Sequence, residues 1–351
     1  MTTPDVSVIV RSMARPTLAR TLDSIAAQHA VALEVILVAA CGAAHPQLPG
    51  RIGAHPLRQV SSPVPLPRAD AANAGIDAAR GRWITWLDDD DLWLPGHLRG
   101  LLDVAAAHPS AGVIHSLAQV RVDRQPDRPF GQPMAPSELY VRNFIHASTA
   151  LVARRLVDEG CRCDTTLVMH EDWDWFIQCM QRAPFHFVRQ RTFVWHAALG
   201  ESGAGAGPNF DAQRVDRAAD RVRQKWAPAR ERLFVALTPV LARARAAVGD
   251  ADWTLAATEI RAALALNPHD PLALALMGAV ERANGRLAKA QAALALACVV
   301  RPYDATLVYN LALICRERGD SATVSDCMSR LVRMVPHDPR ATALHAQLDG
   351  T

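Results

Sequence analysis

The chain has 351 residues, half of them hydrophobic, and its 38 basic and 35 acidic side chains leave a formal net charge of +3. This length and apolar content allow one large buried core or two smaller ones, which excludes a disordered tail. The near balance of charge predicts neither nucleic acid nor a charged membrane surface as a partner.

The N-terminal sequence "MTTPDVSVIV" has neither the basic start nor the apolar stretch of a signal peptide, and no later apolar run reaches membrane-spanning length. The seven cysteines are scattered, and the close pair Cys161 and Cys163 does not have the spacing of a zinc site. We therefore expect a soluble, cytoplasmic protein with reduced thiols and no transmembrane segment. Peripheral contact with the inner face of the membrane is compatible with this expectation.

The first third of the chain alternates strand-like and helix-like segments. Val6–Val10 and Leu33–Ala40 are apolar on both faces, as parallel strands covered by helices are. The segment "DAANAGIDAARG" predicts a helix closed by Gly81, and "RWITWL" predicts the next strand. This order is typical of an open α/β sheet, in which ligands collect at the carboxyl ends of the strands.

The following part of the chain still fits a mixed α/β domain. "STALVARRLVDEG" and "EDWDWFIQCMQRA" predict helices, and "FHFVRQRTFVWH" predicts a strand pair or a strand with a turn. After Trp226 the composition shifts towards Ala and Leu. We therefore expect a first domain over residues 1–228 and a second over residues 229–351.

An internal repeat indicates the architecture of the second domain. Pro268, Pro302 and Pro336 lie 34 residues apart, and Ala244, Gly278 and Ala312 occupy the position where two helices must approach closely. This period and pattern resemble tetratricopeptide repeats, although the large aromatic residues of that family are mostly absent. The resemblance implies an all-α domain with repeats at about 237–270, 271–304 and 305–338 and a closing helix at 339–349.

The segment "WITWLDDDDLW", Trp83 to Trp93, places four consecutive acids at the end of a predicted buried strand. Adjacent carboxylates raise one another's pKa unless a cation or hydrogen bonds offset their repulsion. A hard divalent ion such as Mg²⁺ or Mn²⁺, bound by one or two carboxylates and the phosphates of a substrate, would do so. In an extended chain Asp88 and Asp90 share one face, and Asp89 and Asp91 the other. Asp91 has a second interpretation, as the N-cap of the helix that follows.

Three segments in this order resemble family-2 glycosyltransferases of the GT-A fold: "VSVIVRSMARPTLARTLDSIAAQ", "LPRADAANAGIDAARGRWITWLDDDDLWLPGHL" and "HEDWDWFIQCM". The resemblance covers residues 5–200 and implies a metal-dependent sugar transfer from a nucleotide-sugar donor. It makes "LDDDD" the Asp-x-Asp motif, with Asp88 towards the nucleotide and Asp90 on the metal. The metal then stabilises the leaving nucleoside diphosphate as a Lewis acid.

The resemblance also implies a catalytic base and further ligands. An inverting transfer needs a base for the acceptor hydroxyl, and this role falls on Asp172 with Glu171 as its neighbour. The metal set becomes Asp88, Asp90 and His196. Arg68 and Asn73 stand where relatives place groups that bind the nucleotide.

The chain departs from the family at the end of the second strand. Ala39 and Ala40 stand where relatives usually have acids, one of which reads the nucleobase. Either other groups read the base, such as Arg11 or Ser12, or the donor nucleotide is not a uridine nucleotide. A third interpretation is that the site has degenerated. The presence of Asp88, Asp90 and Asp172 argues against it.

Two functions remain open from the sequence. The first is an inverting glycosyltransferase that acts on a hydroxyl of a glycan or protein acceptor, with the repeats holding the acceptor or a protein partner. The second is a catalytically silent sugar-nucleotide-binding scaffold whose repeats mediate protein–protein interaction. For the acceptor side, Trp93, Trp173 or Trp175 is a candidate for stacking against a sugar ring, although helical spacing favours core packing for Trp175. His146 is a candidate for lining the acceptor pocket, with a structural histidine as the favoured alternative.

Overall fold

The computed structural model describes residues 3–122, 125–198, 207 and 209–335. Within this range the chain forms two compact units. The first comprises the described residues up to Gln132 together with Leu139–Ala227, and the second comprises Pro133–Glu138 together with the described residues from Pro228 onwards. Pro336 and the closing helix predicted at 339–349 lie outside the described residues.

The first unit is built on one mixed β-sheet with helices between its strands. Its strands are β1 (Val6–Ser12), β2 (Leu33–Ala39), β3 (Arg51–Ile52), β4 (His55–Val60), β5 (Trp83–Asp88), β6 (Leu92–Trp93), β7 (Val113–Arg121), β8 (Arg128–Phe130), β9 (Ala150–Ala153) and β10 (Phe185–His196). Its helices are α1 (Leu18–Ala26), α2 (Arg68–Ala78), α3 (His97–Ala107), α5 (Arg154–Asp158), α6 (Glu171–Met180) and α7 (Ala212–Lys225).

The order of the strands places the carboxyl ends of β1, β2 and β5 side by side. The sheet runs β3-β4-β2-β1-β5-β9-β7-β10-β6, with β8 paired to β7. β1 lies parallel to both β2 and β5, and β5 meets β9 in antiparallel pairing. The hydrophobic runs that predicted β1 and β2 are buried along their length, as strands covered on both faces must be. The α/β class predicted for this part of the chain is confirmed.

Glycine allows α2 to lie close against the sheet. A Cβ at Gly75 would stand 2.3 Å from the Cγ2 of Ile9, a separation that real side chains do not show. The helix therefore approaches β1 more closely than any other residue would permit, and its first residue, Arg68, lies beside the end of that strand.

The helix predicted from "STALVARRLVDEG" is wrong in its first half. Ala150–Ala153 forms β9, which bridges β5 and β7, and only Arg154–Asp158 is helical. The apolar run Ala150–Ala153 is fully buried, so pairing between two strands satisfies its backbone where the local pattern suggested a helix.

The second unit consists of helices in a regular succession, which confirms the all-α class predicted for the C-terminal region. They are α4 (Pro136–Leu139, which ends one residue inside the first unit), α8 (Ala227–Gly249), α9 (Trp253–Leu266), α10 (Pro271–Ala283), α11 (Leu287–Val300), α12 (Ala305–Glu317) and α13 (Ser321–Met334). α9, α11 and α13 begin at residues 253, 287 and 321, 34 residues apart, and α10 and α12 begin at residues 271 and 305 with the same spacing. An Asp side chain caps the N-terminus of each of these helices except α11.

The small residues predicted at close helix contacts are buried. Ala244 and Ala312 have no exposed surface. At Gly278 an added Cβ would meet the Cγ of Leu294 at 2.9 Å, so a larger side chain would push α10 away from α11.

A short segment from the middle of the chain packs with the second unit, which the sequence did not predict. Asn267 accepts a hydrogen bond from the backbone N–H of Ser137 at 3.1 Å and donates to its hydroxyl at 2.8 Å. Arg301 donates to the carboxylate of Glu138 at 2.8 Å. These polar contacts explain why Pro133–Glu138 belongs to the helical unit.

Candidate active site

The four acids at the end of β5 have different surroundings because the chain turns directly after the strand. The backbone N–H of Asp91 donates to the carbonyl of Asp88 at 3.1 Å. This turn ends the strand-like alternation, so Asp88, Asp90 and Asp91 all line one cavity. The prediction that Asp91 would point away with Asp89 is therefore wrong. Asp91 does not cap the next helix either, since Gly96 precedes the first residue of α3.

Asp89 organises the loop that follows β1. Its carboxylate is fully buried and accepts from the backbone N–H of Met13 at 2.7 Å and from the hydroxyl of Ser12 at 3.1 Å. It also pairs with the guanidinium of Arg15. Asp89 thus fixes the backbone that joins β1 to α1.

Arg11, at the end of β1, joins two acids from different elements. Its Nε and Nη2 donate to the two carboxylate oxygens of Asp88 at 2.8 and 2.9 Å, and its Nη1 donates to Glu171 at 2.7 Å. Arg68 donates to the same oxygen of Glu171 at 3.1 Å. We call these four side chains, Arg11, Asp88, Glu171 and Arg68, the ionic cluster.

The ionic cluster keeps its acids ionised. Burial alone would raise the pKa of Asp88, but the Arg11 guanidinium outweighs it and lowers the pKa to about 2. Burial likewise opposes ionisation of Glu171, and Arg68 and Arg11 together lower its pKa to about 2. These two carboxylates therefore carry charges that are already neutralised by arginines.

Asp90 and Asp91 have no comparable compensation. Burial and the neighbouring carboxylate of Asp88 raise the pKa of Asp90 to about 6, against the weaker effect of Arg15. Burial and Asp90 raise the pKa of Asp91 well above its usual range, although its Oδ1 accepts from the backbone N–H of His196 at 3.1 Å. Burial and mutual repulsion therefore favour protonation of these two carboxyls unless a cation binds them, and the Arg15 guanidinium, 3.8 Å from Asp90, offsets the repulsion only in part.

Asp172 lies in the first turn of α6 and lines the same cavity as Asp90 and Asp91. Burial and the neighbouring charge of Glu171 raise its pKa. Its Oδ2 accepts from the side-chain amide of Asn143 at 3.4 Å, and the Oδ1 of that amide accepts from the backbone N–H of Ile145 at 3.0 Å. The second contact orients the amide so that its donor faces Asp172.

Two neighbouring cavities meet at the acids. The larger, about 250 Å³, contains Asp172, Asn143, His146 and Trp195 in its wall. The smaller, about 100 Å³, lies at the ends of β1 and β2 and has Met13, Ala40, Leu66 and Ala71 in its wall. Arg68, Asp88 and Asp90 line both cavities. A ligand with two parts could therefore span the pair, with its anionic middle beside Arg68.

Several predicted site residues have other surroundings. Ser12 is fully buried, where it donates to Asp89 and contacts the Nε2 of His45 at 2.9 Å. Asn73 exchanges two hydrogen bonds with the backbone of Cys163, at 2.8 and 3.0 Å, and so joins α2 to the loop before α6. Both side chains are bonded to protein groups, and their predicted contacts with a nucleotide stay predictions. Arg11 lines the smaller cavity, and its Nε, Nη1 and Nη2 each donate one hydrogen bond to Asp88 or Glu171.

The predicted role of His196 as a metal ligand stays a prediction. Its neighbours Trp195 and Ala197 line the larger cavity and His196 does not, as expected where side chains alternate along a strand. Its contribution to the site is the backbone N–H bonded to Asp91. Glu171 is likewise outside both cavity walls and acts on the site through the two arginines.

Sequence reasoning did not find Trp195 and Asn143. The tryptophans that it selected for sugar stacking, Trp93, Trp173 and Trp175, are at most 2% exposed and belong to the core. Trp195 is half-buried and precedes His196 on β10. In the sequence, Trp195 could have been found as an aromatic residue at the end of a predicted strand, directly before the candidate ligand His196.

The acids by themselves do not form a complete metal centre. In the described part of the chain, no group of three or more His, Cys, Asp or Glu side chains is arranged to hold a metal ion. Asp90 and Asp91 nevertheless offer carboxylate oxygens in one cavity, and a bound cation would relieve the repulsion that raises the pKa of both; oxygen ligands of this kind are those that Mg²⁺ and Mn²⁺ prefer. The residues present therefore fit a divalent ion that takes its remaining ligands from a substrate or from water.

The described helices include none that is both long enough and apolar enough to cross a bilayer.

Comparison with known proteins finds similarity in the first unit. Residues 7–175, just under half of the chain, match the family model described as glycosyl transferase family 2. The chain is similar to the succinoglycan biosynthesis protein ExoO of Rhizobium meliloti, with 35% identity over 187 residues, which cover 48% of this chain and 54% of ExoO. It is also similar to the uncharacterized glycosyltransferase YwdF of Bacillus subtilis, with 25% identity over 235 residues, or 62% of this chain and 83% of that protein. The matched residues fall within the range that carries the predicted resemblance, and the chain spans about half the length of ExoO.

Two solved structures have a similar chain trace. TarS 1–349 of S. aureus, in complex with UDP-GlcNAc, has a TM-score of 0.48 at 12% identity and covers 99% of this chain and 92% of its own. The mannosyltransferase PcManGT of Pyrobaculum calidifontis, in complex with GDP-Man and Mn²⁺, has a TM-score of 0.44 at 17% identity and covers 95% of this chain and 88% of its own.

Proposed function

We propose that this protein is a glycosyltransferase that moves a sugar from a nucleotide-sugar donor to a hydroxyl group of a glycan or protein acceptor. The transferase domain comprises residues 1–228, and residues 229–351 form a tetratricopeptide-like repeat domain that binds the acceptor or a partner protein. The observation that carries the proposal is the shared cavity in which Asp172, a candidate base, lies with Asp90 and Asp91. The family of residues 7–175 supports it.

The donor nucleotide binds across the two cavities. Its nucleoside occupies the smaller cavity, where Ala40 lies in the wall and the acid expected in relatives is missing. Its diphosphate lies at the junction beside Arg68, whose side chain is 33% exposed and uses Nε for Glu171. A guanidinium can bind phosphate oxygens in a two-pronged manner, which suits Arg68 to this position.

Asp90 and Asp91 would hold a divalent ion, Mn²⁺ or Mg²⁺. When bound, the ion supplies Lewis acidity that stabilises the departing nucleoside diphosphate. Asp88, the other acid of the Asp-x-Asp motif, is paired with Arg11 and maintains the position of that guanidinium next to the diphosphate. This assignment differs from the predicted set of Asp88, Asp90 and His196.

Asp172 takes the proton of the acceptor hydroxyl as the hydroxyl oxygen attacks the anomeric carbon. Burial and Glu171 raise the pKa of Asp172, which makes its carboxylate a stronger base than an exposed aspartate. Asn143 donates to the same carboxylate and orients it. Attack from the side opposite the leaving group gives inversion at the anomeric carbon.

The test is a thermal-shift screen of the full chain with Mn²⁺ and a panel of nucleoside diphosphates. A ligand at about 100 times its Kd stabilises the folded state by about 2.7 kcal/mol, which raises Tm by roughly 5 °C or more. We expect one nucleotide to give this shift only with metal, and expect Asp90→Asn to abolish it. Asp103→Asn, an exposed acid on α3 paired with Arg99, is the matched control and should retain the shift.

Absence of a shift with every nucleotide would contradict the proposal and would count equally against a silent scaffold that binds a sugar nucleotide. A shift that persists in Asp90→Asn would support nucleotide binding but contradict the role of Asp90 as a metal ligand.

A further inference from the structure

The larger cavity has an aromatic surface next to its acids. Trp195 and Phe130 are both half-buried and both line the cavity, and their rings meet edge to face with centroids 5.8 Å apart. The ring of His146 lies 5.1 Å from Trp195 and 4.6 Å from Phe193. We call Trp195 and Phe130 the aromatic platform.

The aromatic platform is fixed in place. Trp195 is on β10, whose residues 193–196 pair with 118–121 of β7, and Phe130 is on β8, which pairs with the other edge of β7. Phe130 and Trp195 therefore come from strands on either side of one central strand. A platform held by sheet pairing keeps its orientation without a bound ligand.

Polar side chains stand in the same cavity as the platform. The Nδ1 of His146 accepts from the backbone N–H of Ser148 at 3.2 Å, which fixes its ring beside Trp195. The cavity wall includes the amide of Asn143 and the carboxylate of Asp172, which can pair with hydroxyl groups. Arg68 and the acids at the end of β5 line the same cavity.

We propose that the acceptor is a saccharide whose ring stacks on the aromatic platform, with Trp195 as the residue that selects it. This inference rests on the proposed function and narrows its acceptor class. A pyranose ring has an apolar face of C–H groups and a rim of hydroxyls, which matches flat aromatic rings next to an amide and a carboxylate. A serine or threonine side chain of a protein would leave the platform largely uncovered, because it has no face of this size.

The test uses simple glycosides, so that it does not depend on knowing the donor. Saturation-transfer NMR is measured on the full chain with methyl glucoside, methyl galactoside and methyl mannoside, and with a short Ser/Thr-containing peptide. Trp195→Phe keeps a flat ring, and Trp195→Leu keeps apolar bulk without one. We expect saturation of ring protons of at least one glycoside with the wild type and with Trp195→Phe, and a loss of about tenfold in affinity with Trp195→Leu.

A second readout separates this inference from the proposed function. Once a donor is identified, its slow hydrolysis in the absence of acceptor reports on the donor site alone. Trp195→Leu should raise the KM for the glycoside by about tenfold more than it raises the KM for donor hydrolysis, and Trp195→Phe should restore the KM for the glycoside. A glycoside signal that is equal in the wild type and in Trp195→Leu, binding of the peptide in place of the glycosides, or KM values for glycoside and for donor hydrolysis that rise in parallel in Trp195→Leu would each overturn the inference. Absence of hydrolysis of any donor by the wild type would instead count against the proposed function.

Discussion

Arg11 determines which acid at the end of β5 is held in the ionised state. Because its guanidinium takes both oxygens of Asp88, the pKa of that carboxyl is low, while the pKa values of Asp90 and Asp91 are raised. The run of four identical residues thus has three different roles: loop anchor for Asp89, partner of Arg11 for Asp88, and candidate cation ligands for the other two. Identical residue types next to one another acquire their roles from contacts 70 or more residues away along the chain.

The first prediction concerns Asp172. If it is the base, Asp172→Asn should lower kcat for sugar transfer by about 10²–10⁴-fold, because general base catalysis contributes about this much. Transfer requires the ionised carboxylate, so activity should fall as the pH falls through its pKa. Because burial and Glu171 raise that pKa, the acid limb should lie above the ordinary aspartate value of about 3.9.

The measurement is the pH dependence of kcat for the wild type beside the exposed control Asp103→Asn. An acid limb at or below the ordinary value, or full activity in Asp172→Asn, would remove Asp172 from the role of base.

At the scale of elements, the ionic cluster connects β1, β5, α2 and α6. Removing one member of a buried ion pair leaves the other charged without a partner, which costs on the order of 3–5 kcal/mol. We therefore expect Arg11→Met to lower the free energy of unfolding by about this amount, measured by urea denaturation at pH 7. Arg243→Met, which breaks an exposed two-pronged pair with Glu259, is the matched control and should cost less than about 1 kcal/mol.

The same cluster predicts a dependence of stability on pH. Asp88 and Glu171 have pKa values lowered from 3.8 and 4.5 to about 2, so their contribution is complete above pH 4.5 and disappears as the pH falls towards 2. Wild-type stability should therefore decline over this window more steeply than that of Arg11→Met. Parallel curves for the two proteins would show that Arg11 does not hold these acids in the ionised state.

Helix packing in the second unit depends on small residues at the 34-residue positions. An added methyl group at Gly278 would meet Leu294 at 2.9 Å, whereas one at Gly249 would meet nothing within 4 Å. We expect Gly278→Ala to be less stable than Gly249→Ala by about 1–3 kcal/mol, since overpacking outweighs the gain in helix propensity. Equal free energies of unfolding in chemical denaturation would contradict close packing of α10 on α11.

At the scale of the whole molecule, patterns with a fixed period were the most predictable from sequence. The apolar runs predicted β1, β2 and β5, and the spacing of prolines predicted helices that recur every 34 residues. Both signals are local and are repeated along the chain, so a single substitution does not hide them. The buried strand β9 was missed because its pairing with β5 and β7 is a tertiary contact that its own sequence does not encode.

The acids of the candidate site could be predicted from the sequence, but the hydrogen-bond partners of several site residues could not. Motif order identified Asp88, Asp90 and Asp172, all of which line one cavity. The bonds of Ser12 and Asn73 to buried groups depend on how loops fold back, and sequence spacing does not determine this. The association of Pro133–Glu138 with the helical unit escaped prediction for the same reason.

The central claim is tested most directly by release of nucleoside diphosphate. The full chain is incubated with Mn²⁺, a methyl glycoside and each of a panel of nucleotide sugars, beside Asp172→Asn and Asp90→Asn. We predict release from one donor by the wild type and a fall of about 10²–10⁴-fold in Asp172→Asn. Release that is undiminished in both variants, or no release from any donor, would contradict the account.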